Sequence, residues 1–251
     1  MKILAITQAR VGSTRLPGKV LKTVNNMSLL EIHLSRILHS KKISKVKVAT
    51  TTETEANKIV IIADKLGVES YRGSIDDVLK RYYFTARSDN PDYIVRLTSD
   101  CPLIDSFEID RVIDRCIHGN YDYASNNLEP TFPDGMDVEV FKFSALKEAY
   151  QNATLKSDRE HVTPYIWRNS TVKGGKIFRS LSVKYKEDFS KYRLTVDTQE
   201  DFDLIEKLIF HLGVDKKWMD YVNFLNMNPD LMRLNSKYKR NEGYEKSLKE
   251  D

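Results

Sequence analysis

The chain has 251 residues, 41% hydrophobic and 30% charged, a balance that suits one large α/β domain or two small ones and excludes a largely disordered protein. Its formal net charge of +4 is too small for the concentrated basic face of a nucleic-acid binder. No window approaches the roughly 18 apolar residues of a membrane span, and MKILAITQAR meets arginine too soon for a secretion signal, so a cytoplasmic location is expected.

KILAIT is nearly continuous in apolar side chains, as in a strand buried on both faces. After a basic loop, SLLEIHLSRILHS places Leu29, Leu30, Ile32, Leu34, Ile37 and Leu38 close to helical spacing, with Ser28 as the expected N-cap. KVKVATT predicts a strand and ETEANKIVIIADKLG a helix stopped by Gly67. VESYRG is a short strand, SIDDVLKRYYFTARS a helix, and DYIVRLTSDCPLI a strand ending in a polar loop. This alternation predicts a parallel sheet wrapped by helices. Such sheets bind ligands beyond the carboxyl ends of their strands, so function is expected in loops 8–19, 72–77 and 98–105.

The second half is less regular. SFEIDRVIDRCIHG reads as helix, YDYASN as strand, and PTFPDGMDVEVF as a turn feeding a strand. ALKEAYQNATLKSDREHVTPYIWRN reads as helix broken by Pro164, and KGGKIFRSLSVKY as a strand or hairpin. KYRLTVDT predicts a further strand and QEDFDLIEKLIFHLG a helix, after which come a helical extension and a solvated polar tail. Ile75, Leu79 and Tyr82, like Phe202, Ile205 and Ile209, fall at helical spacing and read as core stripes.

The first loop, in ITQARVGSTRLPGKVL, carries Arg10, Arg15 and Lys19 between and beside Gly12 and Gly18. It is not a Walker loop, because five residues separate its glycines and Val20 stands where a metal-binding hydroxyl belongs. It also lacks the dinucleotide fingerprint G-x-G-x-x-G. It keeps the ingredients of a polyphosphate cradle: glycines that admit close approach, backbone N–H groups near Ser13 and Thr14 for an anion nest, and three cations. The end of the first strand of a parallel sheet favours that reading over a solvated basic turn.

Asp100, in LTSDCP, and Asp197, in LTVDT, follow strand-like runs and are expected on one edge of the sheet. Asp197 also stands where the next helix needs a cap, with Glu200 in support, unless Thr198 takes that role. In DGMDVEVF, Asp137 and Glu139 share one strand face, an acid pair suited to sugar hydroxyls. Arg159, His161 and Arg193 are candidates for a sugar carboxylate, although His161 beside Glu160 also reads as a packing histidine rather than a general base. The two cysteines form no CxxC or Cys/His cluster, and Cys101 has nothing nearby in sequence to activate it.

QARVGSTRLPGKVL, YRGSIDDVLKRYY, RLTSDCPLID, PDGMDVEVF, DREHVTPYI, YRLTVDTQEDF and RNEGYEKSL together resemble the SpsF-type cytidylyltransferases, grouped with the CMP-Kdo and CMP-sialic acid (acylneuraminate) synthetases. The resemblance covers almost the whole chain. It implies an α/β, Rossmann-like three-layer sandwich with a mostly parallel mixed sheet, the nucleotide-diphospho-sugar transferase fold. It implies a nucleotidyltransferase domain over residues 1–213, an insertion at about 121–185 for acceptor and dimer contacts, and a helical extension over 214–251. The implied reaction is attack of a sugar hydroxyl on the α-phosphorus of CTP, releasing pyrophosphate and leaving a CMP-sugar for surface or spore-coat polysaccharide. The implied acceptor is a 2-keto-3-deoxy acid such as a nonulosonate. Such transfers depend on positioning and charge neutralisation.

By the same resemblance Arg10, Arg15, Lys19 and Asp100 form the catalytic set, and Asp100 and Asp197 hold Mg2+. Gln8, Ala9, Gly12, Ser13, Thr14, Arg72, Gly73, Asp77 and Thr98 are expected to face the nucleotide, and on their chemistry alone Asp137, Glu139, Arg159, His161 and Arg193 are expected to face the acceptor. The partners implied are small-molecule nucleotide and sugar substrates and a second copy of the chain, with neither nucleic acid nor membrane. One alternative is a glycosyltransferase of the same fold, but the literal Asp-x-Asp match, Asp201 to Asp203, falls inside a predicted helix. A non-catalytic nucleotide-sugar binder is the other, against which the Asp100/Asp197 pair speaks.

Overall fold

The computed structural model describes residues 1–251. Its first half follows the expected alternation: β1 (Ile3–Gln8), a small hairpin of β2 (Thr23–Val24) and β3 (Met27–Ser28), α1 (Leu29–Leu38), β4 (Lys45–Thr51), α2 (Asn57–Lys65), β5 (Glu69–Gly73), α3 (Val78–Arg87) and β6 (Tyr93–Thr98). Then come α4 (Ser106–His118), β7 (Tyr123–Ser125), β8 (Glu139–Lys142), α5 (Phe143–Asn152), α6 (Lys156–His161), α7 (Pro164–Arg168) and β9 (Ser180–Ser182). The chain ends in α8 (Gln199–Leu212), α9 (Trp218–Met227), α10 (Pro229–Arg233) and α11 (Glu242–Ser247).

Seven strands form one sheet in the order β5-β4-β1-β6-β8-β7-β9. β1, β4, β5 and β6 run parallel, while β8 lies antiparallel between β6 and β7. Central β1 shows why both faces are covered: Ile3 and Ala5 enter one apolar cluster and Leu4 and Ile6 the other, by the two-residue period of a strand. The first cluster takes α1, α2 and α4, and the second α3, α5 and α7, which makes three layers. A third cluster gathers α8, α9 and the segment around Leu194. In register, Gln8 stands opposite Thr98, so the loops after β1 and β6 leave the sheet side by side.

Local signals worked where they name an atom pair. Ser28 caps α1 by accepting from the Glu31 amide at 3.1 Å, and the Glu31 carboxylate accepts from the Ser28 amide at 2.8 Å. Gly67 ends α2 at φ +70°, as a left-handed C-terminal position requires.

The second half departs from expectation. KYRLTVDT is no strand of the sheet: β8 already occupies the place beside β6, and the segment runs along the turns instead, Leu194 N donating to Asp134 O at 2.6 Å and Val196 N to Asp100 O at 2.7 Å. Pro164 does not break a helix but opens α7, where its missing N–H costs nothing. The breaks fall at Ala153 and at Val162, the latter with φ +73°. KGGKIFRSLSVKY yields only β9, parallel to β7, and PTFPDGMDVEVF becomes a strand only from Glu139. Ile75 precedes the α3 cap and is 37% exposed, so the core stripe there is Leu79 and Tyr82 alone. The tail is not solvated throughout, since Asn235 and Ser247 are buried and α11 packs on α6. No helix is long and apolar enough to cross a membrane.

Candidate active site

The basic loop folds back on itself before it can present its cations. Gly18 N donates to Val11 O at 3.0 Å with Gly18 at φ +67°, and a short turn, Lys19–Leu21, follows. This aims Lys19 inward. Its ammonium donates to Asp197 Oδ1 at 2.8 Å, Val196 O at 2.8 Å and Asp100 Oδ2 at 3.2 Å. Arg15 lies outside it, 3.0 Å from Asp197 and 3.6 Å from Glu242, and Arg10 is exposed with no ion-pair partner. Ser13, expected in an anion nest, spends its amide on Val11 O at 2.8 Å; Gly12 and Thr14 are exposed. Ala9 is buried and donates to Ala49 O at 3.2 Å.

Asp100 and Asp197 therefore converge from separate turns on one cation. Burial works to raise the Asp100 carboxyl, but the Lys19 ammonium and hydrogen bonds from Thr98 and Lys19 hold it well below the usual carboxylate range. Lys19 responds in kind: burial opposes its charge, and the two aspartates outweigh that and raise its pKa. Asp197 is not spent on the helix. Thr198 caps α8, accepting from the Asp201 amide at 3.3 Å, and the supporting acid is Asp201 rather than Glu200, which pairs with Lys237.

Around this pair lies a dense charge network. Arg193 sits between Asp134 at 2.7 Å, Asp197 at 3.0 Å and Asp201 at 2.8 Å, so the side chain expected to meet a sugar carboxylate is already bound by three. Asp201, buried against Arg193, is accordingly no open Asp-x-Asp metal motif. Burial raises the carboxyls of Asp134 and Asp137, and Asp137 raises that of Asp134 further. Arg240, from the far end of the chain, reaches in to pair with Asp137.

Other expected residues occupy different places. Asp77 caps α3, accepting from Lys80 N at 2.8 Å, and forks the Arg159 guanidinium with both oxygens 3.1 Å from Nε. The structure thus joins a residue expected at the nucleotide to one expected at the acceptor. Arg72 is exposed, and its guanidinium braces the turn after β4 through Thr51 O and Thr52 O, each at 3.1 Å. Gly73 is needed for packing: a Cβ there would stand 2.8 Å from Tyr71 and 3.2 Å from Arg81.

Glu139 lies at the floor of a cavity of about 240 Å3 that Arg96, His161, Thr163, Asn241 and Tyr244 also line. Its carboxylate is taken up by the Tyr123 hydroxyl and the Thr163 hydroxyl, each at 2.6 Å, and by Arg96, which also reaches Gln8 at 3.4 Å. Sequence reasoning missed Arg96 although the signal was present, a lone charge at an inward position of the apolar strand YIVRLT. Arg240, Tyr244 and Ser247 lie in RNEGYEKSL, a stretch that carries the resemblance, but nothing in it assigned them a role at the site. Cys101 is buried, and burial pushes its thiol well up, so it stays protonated. His33, also buried, joins Thr7 Oγ1 at 2.8 Å to Cys101 O at 2.9 Å and fixes the turn that carries Asp100.

Residues 4–233 match the cytidylyltransferase family. An uncharacterized protein of Methanocaldococcus jannaschii is 40% identical over 241 residues, covering 94% of this chain and 95% of its own. The spore coat polysaccharide biosynthesis protein SpsF of Bacillus subtilis is 33% identical over 242 residues, covering 91% and 95%. A solved cytidylyltransferase from Leptospira borgpetersenii superposes with a TM-score of 0.86 at 38% identity, over 92% of this chain and 97% of that one. The chain belongs to the cytidylyltransferase family.

Proposed function

We propose that this enzyme transfers CMP from CTP to a sugar acid of the 2-keto-3-deoxy type, a nonulosonate or a close relative, and releases pyrophosphate for surface or spore-coat polysaccharide synthesis. The observation that carries the reading is the convergence of Asp100 and Asp197 on the Lys19 ammonium. Two carboxylates fit Mg2+, which takes one or two of them and completes its shell with phosphate and water oxygens. When bound there, the ion would supply positive charge to the phosphates. Lys19, Arg15 and Arg10 hold the departing pyrophosphate, Gln8, Ala9, Gly12, Ser13 and Thr14 shape the bed of the nucleotide, and Thr98, Gly73, Arg72 and Asp77 border its base. Asp137, Glu139, Arg159, His161 and Arg193 form or brace the acceptor side. Residues 121–185 are read as carrying acceptor contacts and a homodimer interface, which light scattering tests.

The test incubates the protein with each of the four nucleoside triphosphates, Mg2+, pyrophosphatase and a panel of sugar acids, and reads phosphate release. Turnover with CTP alone, abolished in Asp100→Ala with the fold intact by circular dichroism, is the expected result. Full activity in that variant refutes the metal assignment.

A further inference from the structure

The C-terminal segment enters the cavity beside Glu139 and ends on a histidine. His161 Nε2 lies 2.9 Å from Ser247 Oγ, and Ser247 Oγ lies 2.7 Å from Glu160 Oε2 and 3.1 Å from Gly243 O. Glu160 itself is 3.9 Å from His161, too far for a direct bond, so the serine is the link. A serine hydroxyl has one proton to donate. Both of its other neighbours, a carboxylate and a backbone carbonyl, accept only. Whichever of them takes that proton, the imidazole must donate to Ser247, and the proton of a neutral ring is fixed on Nε2.

The consequence is at the other nitrogen. No protein group hydrogen-bonds Nδ1, and the ring lines the cavity together with Arg96, Thr163, Lys173, Asn241 and Tyr244. Tyr244 holds the ring plane, edge to face with His161 at 5.2 Å and with Trp167 at 5.8 Å. Burial, reinforced by Arg96, keeps the imidazole pKa below its ordinary value against the opposing charges of Glu160, Glu139 and Asp251, which favours the neutral form.

We propose that Ser247 is a positioning residue of the acceptor site, which presents His161 Nδ1 to the cavity as an unprotonated hydrogen-bond acceptor and so selects a sugar hydroxyl, not a carboxylate, at that point. A lone pair takes a hydroxyl proton and repels an anion, so the expectation that His161 meets the acid group of the acceptor is replaced by a donor-specific contact. The proposal rests on the reading of this cavity as the acceptor site. The sequence marks RNEGYEKSL only as part of the resemblance and not the partner of Ser247, which lies 86 residues away at His161.

Imidazole nitrogen shifts in the 15N-labelled full-length protein test it, with the His161 signals identified by their loss in His161→Gln. The expected spectrum at neutral pH shows a protonated Nε2 and an unprotonated Nδ1. Ser247→Ala should move the two shifts toward each other as tautomers mix, and Ser247→Thr should restore the difference. A ring protonated on Nδ1, or an identical spectrum in Ser247→Ala, overturns the proposal. With the acceptor that the CTP assay identifies, Ser247→Ala should raise the acceptor KM about tenfold and leave the CTP KM unchanged. Equal changes in both would show a merely structural serine and would overturn it too. If wild-type protein never consumes CTP, the reading of the site fails while the nitrogen shifts still decide the tautomer.

Discussion

Lys19 Nζ stands 2.8 Å from Asp197 and 3.2 Å from Asp100, so one tethered ammonium neutralises two carboxylates that come from opposite halves of the chain. A divalent cation at the same carboxylates must displace it. Lys19→Met should therefore strengthen Mn2+ binding in the absence of nucleotide, by roughly tenfold, because the competing charge is gone. The same change should lower kcat by about 100-fold or more, because the phosphate donor proposed above is lost. Electron paramagnetic resonance titration of free Mn2+ and steady-state kinetics read the two effects. A variant with weakened Mn2+ binding would mean that Lys19 does not stand in the cation's place.

Arg15 is shared between Asp197 and Glu242 and is 42% exposed at the side chain. Polyphosphate that engages Arg15 has to compete with Glu242 on α11. Glu242→Gln removes the competitor at unchanged size, and CTP should bind a few-fold tighter, in line with exposed pairs contributing about 0.2–1 kcal/mol. Calorimetric titration at low and high salt checks it, and the gain should shrink at high salt.

How much of this was legible follows from where each contact lies along the chain. The crevice between β1 and β6 was readable because apolar runs of strand and helix length alternate there, and the loaded loops follow the strands directly. That Asp100 and Asp197 meet followed from both ending strand-like runs, even though KYRLTVDT joins no strand of the sheet and makes only an isolated parallel bridge between Arg193 and Asp134. Alternation in a sequence reports burial of every second side chain, not which backbone lies alongside. The tail was opaque for a different reason. Arg240 finds Asp137 across 103 residues, and nothing in a stretch of mixed charges distinguishes a solvated arginine from one that reaches a buried acid.

His33 makes the Asp100 turn sensitive to acid. Burial lowers its pKa from 6.5 to about 4. Between those values the unfolded chain holds a proton that the folded chain does not, so stability rises with pH. The contribution is complete above about 6.5 and is lost as pH falls toward 4, by about 3 kcal/mol in all. The lowered Asp100 carboxyl adds a loss of the same sign at still lower pH. Urea unfolding midpoints over this pH range should fall more steeply in wild-type protein than in His33→Gln.

Gly135 has φ +105°, and a Cβ there would stand 2.6 Å from the Leu194 carbonyl carbon and 2.7 Å from Thr195 N. Gly135→Ala must then part the Asp134 turn from the segment that leads to Asp197. A loss of about 2 kcal/mol or more is expected, with activity falling along with stability, as measured by thermal melts and turnover on one preparation.

Arg96, half-buried, and Glu139, buried, face each other across the β6–β8 pair, with Tyr123 and Thr163 completing the carboxylate. Burial alone would lower the Arg96 pKa, and Glu139 more than reverses that, so the guanidinium stays charged. Removing one partner leaves the other charge buried and unmatched, at a cost of about 3–5 kcal/mol. Glu139→Gln keeps a hydrogen-bonding oxygen but not the charge, and should lie toward the low end of that range. Arg96→Met combined with Glu139→Leu removes both charges and should recover most of the loss, although the Tyr123 and Thr163 hydroxyls then lack their acceptor. A double-mutant cycle by chemical denaturation measures the coupling. Single variants as stable as wild type would show that water reaches the pair and that the cavity floor is wetter than its burial indicates.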